Sequence, residues 1–523
     1  MESELSGTLA RRTPARPLGP GPLILLAAAL LISACGLVYE LVAGALASYL
    51  IGDTLTRFST VIGAYLFAMG LGAWLARYLR GDALARFVEV EIAAGVVGGF
   101  SAMLLFAAYA AGALFQPLLY VLVLAVGILV GIEIPLLLRL LRSHLEFEDL
   151  VSRVLSLDYI GALLASLVFP LWFVPELGLV RTGLAFGLLN LAVAALTLWI
   201  FRHRLRAPAL WLAAGFSIAA LAAAFAGAER FTRAAEERLY RGEVVHAEQS
   251  PYQRIALLQR GSTVRLYLNG RLQFSSRDEY RYHEALVHPA LAALERPRRV
   301  LVLGGGDGLA LREVLRYPSI EAVTLVDLDV QVTDLFRDHP RLAGLNGGSL
   351  ADPRVRIVNA DAWRWLEASA AEDSREARFD AILMDLPDPS TYALGRIYSA
   401  PFMRLLARRL APQGLIATQA TSPVMVREAF WCIVATVEAA GLRATPYHAL
   451  VPSFGDWGFV IASRDEYRAP ARLPGGLRFL TPQVLAGLFV FSSDIERLPV
   501  EPNRLDTQSL VSYYDRGWRL GRE

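Results

Sequence analysis

Five aspartates in the second half of the chain, Asp307, Asp327, Asp361, Asp385 and Asp388, each stand just beyond a short apolar run. One of them lies inside a glycine loop, in Arg299-Val-Leu-Val-Leu-Gly-Gly-Gly-Asp-Gly-Leu309. Such a loop brings backbone N–H groups up to a nucleotide-like ligand. An acid within it would repel phosphate, so Asp307 suits a cationic ligand better. Five carboxylates converging on one edge would repel one another unless a cation lay among them. The ligands should therefore include a sulfonium, an ammonium, or both.

The elements that must carry these acids can be read from the alternation of strand and helix patterns. Val300 to Leu303 reads as a strand running into the glycine loop, and Leu309 to Arg316 as the helix that follows. Ala322 to Val326 ends at Asp327, roughly 20 residues beyond the glycines, where an acid takes ribose hydroxyls in such folds. Asp329 is the competing candidate, further past the strand end. Arg354 to Val358 closes on Asn359-Ala-Asp361, Phe379 to Met384 on Asp385-Leu-Pro-Asp388, and Leu415 to Thr418 on Gln419. Strand C-terminal ends are where open α/β sheets bind ligands. A single strand-end aspartate is as readily a helix cap or turn residue. Upstream, Arg254–Leu258, Val264–Leu268 and Leu272–Phe274 read as strands, and Asn269-Gly270 between the last two signals a type I′ hairpin. A helix over Asp278–His288, carrying Tyr282 and His283, leads into the glycine loop.

The first half of the chain is of another kind. Over all 523 residues 55% are hydrophobic and the mean hydropathy is +0.41, which points to a membrane class. A formal net charge of +2 argues against nucleic-acid binding. Two cysteines, Cys35 and Cys432, make neither a disulfide framework nor a zinc set. Apolar segments run over 22–48, 57–79, 87–111, 116–140, 157–174, 178–201 and 209–227, each near the ~20 residues needed to cross a bilayer. Arginine-rich loops alternate with arginine-poor ones, so the positive-inside rule sets the basic N-terminus (Arg11, Arg12, Arg16) in the cytoplasm. Six spans fit that topology. A complete seventh crossing would carry everything after it out of the cytoplasm. Three acids lie within or at the edge of the spans: Glu40, Glu133 and Asp158. They read as helix–helix or interface contacts, or as an amine-binding cavity.

Taken in order, Ser250-Pro-Tyr-Gln253, Asp278-Glu279, Tyr282-His-Glu284, Gly304-Gly-Gly-Asp-Gly308 and Asp385-x-x-Asp388-Pro389 resemble the spermidine synthase family of polyamine aminopropyltransferases. The resemblance covers about residues 240 to 465, and the apolar half looks like that of its multi-pass bacterial members. It implies transfer of aminopropyl from decarboxylated S-adenosylmethionine to putrescine, giving spermidine and methylthioadenosine, with no separate cofactor and no metal. It further implies that Asp385, beside Tyr282, orients and deprotonates the attacking amine. Asp307, with His283 nearby, would hold the donor's ammonium. Asp327 would take the ribose and Asp361 the adenine amino group; Gln253 would contact the nucleoside, and Asp388 and Gln419 the acceptor amine.

Two departures stand out. Val451-Pro-Ser-Phe-Gly-Asp-Trp457 has no tyrosine before its Pro-Ser, and Asn269 stands where Asp is usual. The donor half thus matches better than the acceptor half. Two other classes remain: a methyltransferase using intact S-adenosylmethionine, which Asp307 argues against, and a membrane polyamine carrier or sensor.

The expected architecture is an α-helical multi-pass membrane domain followed by an α/β Rossmann-like, methyltransferase-type catalytic domain with a small N-terminal β-rich subdomain. Its expected divisions are a basic cytoplasmic tail at 1–21, the membrane domain at 22–228, a linker helix and β-rich subdomain at 229–290, the catalytic domain at 291–465 and a C-terminal extension at 466–523. That extension could pack on the catalytic domain or mediate oligomer contacts. A homo-oligomer in the inner membrane, with its catalytic domain in the cytoplasm, is the expected state.

Overall fold

The computed structural model describes residues 20–520 except 52–53, 113, 144–145, 241 and 370–377. The basic tail with its three arginines lies outside the described residues. The chain divides into two compact units, 1–46 with 57–235, and 47–56 with 236–523.

The first unit is built from α1 (Pro20–Ile51), α2 (Thr54–Leu75), α3 (Ala83–Ala110), α4 (Phe115–Leu141), α5 (Phe147–Val168), α6 (Val174–Ile200) and the start of α7 (Pro208–Tyr240). Among the described residues six helices are long and apolar enough to cross a membrane. One of them, Phe147–Ile200, is 54 residues long and joins the expected segments 157–174 and 178–201. This run is not straight. Gly178 holds φ 70° and ψ 171°, and the rings of Phe173 and Phe186 lie 4.9 Å apart. Thirteen residues of straight helix would separate them by about 20 Å. The chain therefore turns back at Gly178, with Thr182 Oγ1 donating to the Phe173 carbonyl at 3.2 Å. Small residues let α3 and α6 approach at backbone distance: a Cβ at Gly187 would meet the Gly95 carbonyl at 2.6 Å. The charged stretch after residue 228 shows no break, because α7 continues through it to Tyr240.

The second unit begins with a four-stranded antiparallel sheet of β1 (Glu243–Gln249), β2 (Arg254–Arg260), β3 (Thr263–Leu268) and β4 (Arg271–Ser275). Asn269 (φ 47°) and Gly270 (φ 76°) both turn left-handed between β3 and β4, as a type I′ turn demands. Next come α8 (Glu279–Leu291), β5 (Arg299–Gly304), α9 (Leu309–Val314), β6 (Ala322–Asp327), α10 (Val330–Asp338), α11 (Pro340–Leu345), β7 (Val355–Asn359) and α12 (Ala362–Ala368). They are followed by β8 (Phe379–Asp385), α13 (Tyr392–Arg396), α14 (Ala400–Arg409), β9 (Leu410–Gln419), α15 (Arg427–Ala439), β10 (Arg443–Val451) and β11 (Gly455–Ser463). The seven-stranded sheet runs β10-β11-β9-β8-β5-β6-β7. Its five central and far strands are parallel, and β10 and β11 close one side antiparallel. Sequence reading did not isolate that last pair. Pro446 interrupts β10, which tolerates it as an edge strand. One face of the sheet is covered by α8, α9 and the inner face of the small sheet. The other is covered by α14, α15 and α17 (Ser509–Leu520), the last helix after the short α16 (Pro482–Gly487).

The C-terminal extension packs on this unit. Glu284, 1% exposed, accepts from the backbone N–H groups of Arg478 (2.7 Å), Phe479 (2.9 Å) and Leu480 (2.9 Å). Trp431 Nε1 donates to the Ile495 carbonyl at 3.0 Å. Replacing Glu284 by Ala strands three N–H donors and should cost on the order of 3 kcal/mol. Thermal unfolding of the full chain should show the loss for Glu284→Ala, while Glu496→Ala at an exposed position should stay within about 0.5 kcal/mol of the parent. Equal melting of the two variants would refute the clamp.

Candidate active site

In the large sheet β6 and β7 lie to one side of β5, and β8 and β9 to the other. The chain thus reverses direction of sheet growth between β5 and β8, the position where a crevice opens beyond the strand ends. Gly304 pairs with Asp385 across that point. Gly304 (φ 74°) and Gly305 (φ 67°) are left-handed, and a Cβ on Gly305 would meet Asp385 Oδ2 at 2.9 Å. The glycines therefore serve close approach of backbone to carboxylate as well as the turn.

Asp307 follows in the loop, its Oδ1 accepting from Leu309 N at 2.9 Å at the start of α9. From α8, Tyr282 Oη donates to Asp385 Oδ1 at 2.8 Å. His283 Nε2 lies 3.8 Å from the other oxygen, Oδ2. His283 Nδ1 faces Glu279 Oε2 at 2.9 Å, and Glu279 in turn accepts from Arg312 at 3.0 and 2.9 Å. The result is a relay of alternating charge from Arg312 through Glu279 and His283 to Asp385. Burial opposes a charge on His283, but the Glu279 hydrogen bond and the charges of Glu279, Asp385 and Asp307 raise its pKa to about 9. Burial would also raise Glu279; its His283 and Arg312 partners outweigh this and hold it below the ordinary value. His283 is therefore an imidazolium near neutrality. Asp307 is pushed up to about 7 by burial and by Asp385, with His283 pulling the other way. Asp385 is likewise raised by burial, offset by His283 and Tyr282.

Ligand atoms of His283, Asp307 and Asp385 all lie within 4.8 Å of one another, close enough to hold a metal ion. A proton on His283, favoured by Glu279 on Nδ1 and by the two aspartates, would compete with a metal for the imidazole lone pair. The positive charge in this cluster is already supplied by the protein.

At the end of β6, Asp327 accepts from Gly306 N (3.0 Å) and Asp329 N (2.9 Å), and burial lifts it to about 6. Asp329 caps α10 and accepts from Ser250 Oγ (2.6 Å) and Gln253 Nε2 (2.9 Å). That bond brings the Ser250–Gln253 loop to the end of β6. Asp361 caps α12 through Arg364 N and pairs with Arg396 at 2.7 Å. Of the expected nucleoside ligands, Asp361 is the one engaged by a base.

On the far side of Asp385 stand Asp388 and Gln419. Gln419 Nε2 donates to Tyr398 Oη (2.6 Å) and the Leu386 carbonyl (2.9 Å), while its Oε1 accepts from Thr421 N. Tyr514 Oη, from α17, donates to Asp388 Oδ2 at 2.9 Å and accepts from Arg271 at 2.8 Å. Asp388 Oδ1 and Thr421 Oγ1 are buried and in no well-formed hydrogen bond, although Gln419 and Thr421 stand close enough to Asp388 to favour its charge. Burial raises Asp388 to about 6, with Tyr514 and Arg271 pulling it down. Sequence reading assigned no role to Tyr514, Tyr398, Arg312 or Glu279. No local spacing marks any of the four. Asp278 is occupied elsewhere: it holds Ser453 through N (2.7 Å) and Oγ (2.9 Å), which sets Phe454 against Tyr282 at 6.1 Å.

A family model for the spermine/spermidine synthase domain matches residues 279–471. Polyamine aminopropyltransferase 1 of Ralstonia nicotianae is 51% identical over 96% of this chain and 97% of its own length. The polyamine aminopropyltransferase of Leptospira interrogans is 48% identical over 94% of this chain and 97% of its own. A crystal structure of spermidine synthase with the transition state analogue AdoDATO is 24% identical, with a TM-score of 0.43, covering 53% of this chain and 88% of that one. Such identity along nearly the whole length shows that the chain belongs to the polyamine aminopropyltransferase family of transferases.

Proposed function

We propose that the chain is a membrane-anchored spermidine synthase whose Asp385 accepts the proton of a diamine, putrescine in the first instance. The observation that carries this reading is Asp385 lying between two acid-lined ends. Asp307 with His283 forms one, and Asp388, its Oδ1 buried, forms the other with Gln419. The donor's ammonium belongs at Asp307, its ribose at Asp327, and its nucleoside beside Gln253 and Asp361. Asp388 and Gln419 take the distal ammonium of the acceptor.

An alkylammonium has a pKa near ~10.4 and is not nucleophilic until it loses a proton. Asp385 Oδ1 is held by Tyr282, so Oδ2 is the oxygen that receives that proton. The freed nitrogen attacks the methylene next to the sulfonium, the new C–N bond forms, and the C–S pair returns to sulfur as methylthioadenosine. The proton leaves to solvent from Asp385. A donor bearing a carboxylate, as methyl transfer would use, meets repulsion at Asp307. The six apolar helices support anchoring in the inner membrane, and a charged nucleoside donor supports a cytoplasmic catalytic unit.

Purified full-length protein should release methylthioadenosine from decarboxylated S-adenosylmethionine plus putrescine. Asp385→Asn should lower kcat by about 10²–10⁴-fold with donor affinity within a few fold; no release with any diamine would refute the reading. Binding the donor's ammonium favours ionised Asp307, whose carboxyl sits at about 7 when unliganded. Its pKa must then fall on binding, a proton is released, and affinity rises with pH up to that value and levels off above it. Calorimetry should show donor binding roughly tenfold tighter at pH 8 than at pH 6, with the difference abolished in Asp307→Asn. A flat profile would contradict the assignment. A C-terminal tag should be protected from externally added reagent in intact cells and labelled after permeabilisation; labelling of intact cells would reverse the orientation.

A further inference from the structure

The helical unit contains a second group of acids. Glu91 on α3 and Glu133 on α4 are both 0% exposed, and none of their four carboxyl oxygens has a hydrogen-bond partner. The Tyr39 hydroxyl on α1 and the Asn190 amide oxygen on α6 are also buried and unpartnered. These groups converge. Glu133 lies in electrostatic range of Glu91 and Asp158, and Tyr39 in range of Glu133 and Glu91. The Tyr39 ring packs over Gly98, where an added Cβ would meet its Cε2 at 2.6 Å. Asn190 sits beside Gly95, one turn along α3 from Glu91. Glu91 escaped the sequence reading, which singled out Glu40, Glu133 and Asp158.

Each of these unpartnered atoms can accept a hydrogen bond, and the carboxyl and amide oxygens can do so at once. A ligand seated among them must therefore bring donors and positive charge. Among the described residues, the charged groups acting on Glu133 are the acids Glu91 and Asp158. Burying both carboxyls without a partner is costly in either protonation state. Tyr39 and Tyr65 lie within electrostatic range of Glu133, and aromatic neighbours suit an alkylammonium better than a strongly hydrated metal ion.

We propose that Glu91, Glu133, Tyr39 and Asn190 form an alkylammonium-binding site inside the helical unit, distinct from the one at the sheet edge. The choice of an amine over an alkali cation rests on the proposed transfer reaction, whose substrate and product are polyamines; the existence of the site does not.

Equilibrium dialysis of radiolabelled spermidine against the full chain in nanodiscs, without donor, tests it. Methylthioadenosine release is assayed on the same preparation. Two spermidines should bind per wild-type chain. Glu91→Gln with Glu133→Gln should lose one of them and keep transfer activity, and Asp388→Asn should lose the other. Should the double variant fail to fold, Tyr39→Phe decides: it should weaken one site several-fold and leave transfer unchanged. A single bound spermidine, abolished by Asp388→Asn, would overturn the proposal. So would a helical site emptied by sodium or potassium and not by amines. Two bound spermidines without methylthioadenosine release would instead sink the proposed reaction and leave the site standing.

Discussion

An imidazolium held between carboxylates sets the terms for the active site. His283 is buried, and a buried cation survives only with compensating charge. Glu279 supplies that charge at 2.9 Å, with Asp385 at 3.8 Å on the other side. Arg312 then fixes Glu279 through two bonds. With His283 charged, Asp385 and Asp307 can share one edge without both being driven to protonation. They remain raised, and so remain receptive to further positive charge. In the proposed reaction a sulfonium and an ammonium provide it.

The rest of the second unit holds this balance in place. The left-handed glycines bring the β5 loop within contact of Asp385. Tyr282 and His283 come from successive positions of α8, and the Glu284 beside them ties the C-terminal extension down through three backbone bonds. That extension then returns Tyr514 to Asp388. The Asp307 and Asp388 ends of the site are thus held by different parts of the chain, the first by local β–α turns and the second by the last helix.

This division explains what could be read in advance. Asp307, Asp327, Asp385 and Asp388 were legible because each follows an apolar strand directly, and strand ends of a parallel sheet share one edge. The Asn269-Gly270 turn was legible because only a left-handed pair closes a two-residue hairpin. Arg312 and Glu279 meet across 33 residues, and Tyr514 reaches Asp388 across 126. Periodicity says nothing about such pairs. In the helical unit, hydropathy separated 157–174 from 178–201, and the chain turns back between them at Gly178 although both fall within one continuous helical run. Glu91 was lost because it follows Glu89 near the start of a span, where an acid reads as interfacial. Packing of α3 against α6 buries it.

The most direct test is a structure of the full chain with methylthioadenosine and putrescine bound. The account predicts one putrescine nitrogen within about 3 Å of Asp385 Oδ2 and facing the nucleoside sulfur, with the other nitrogen on Asp388. A diamine bound with neither nitrogen at Asp385, or with no nitrogen at Asp388, would contradict it.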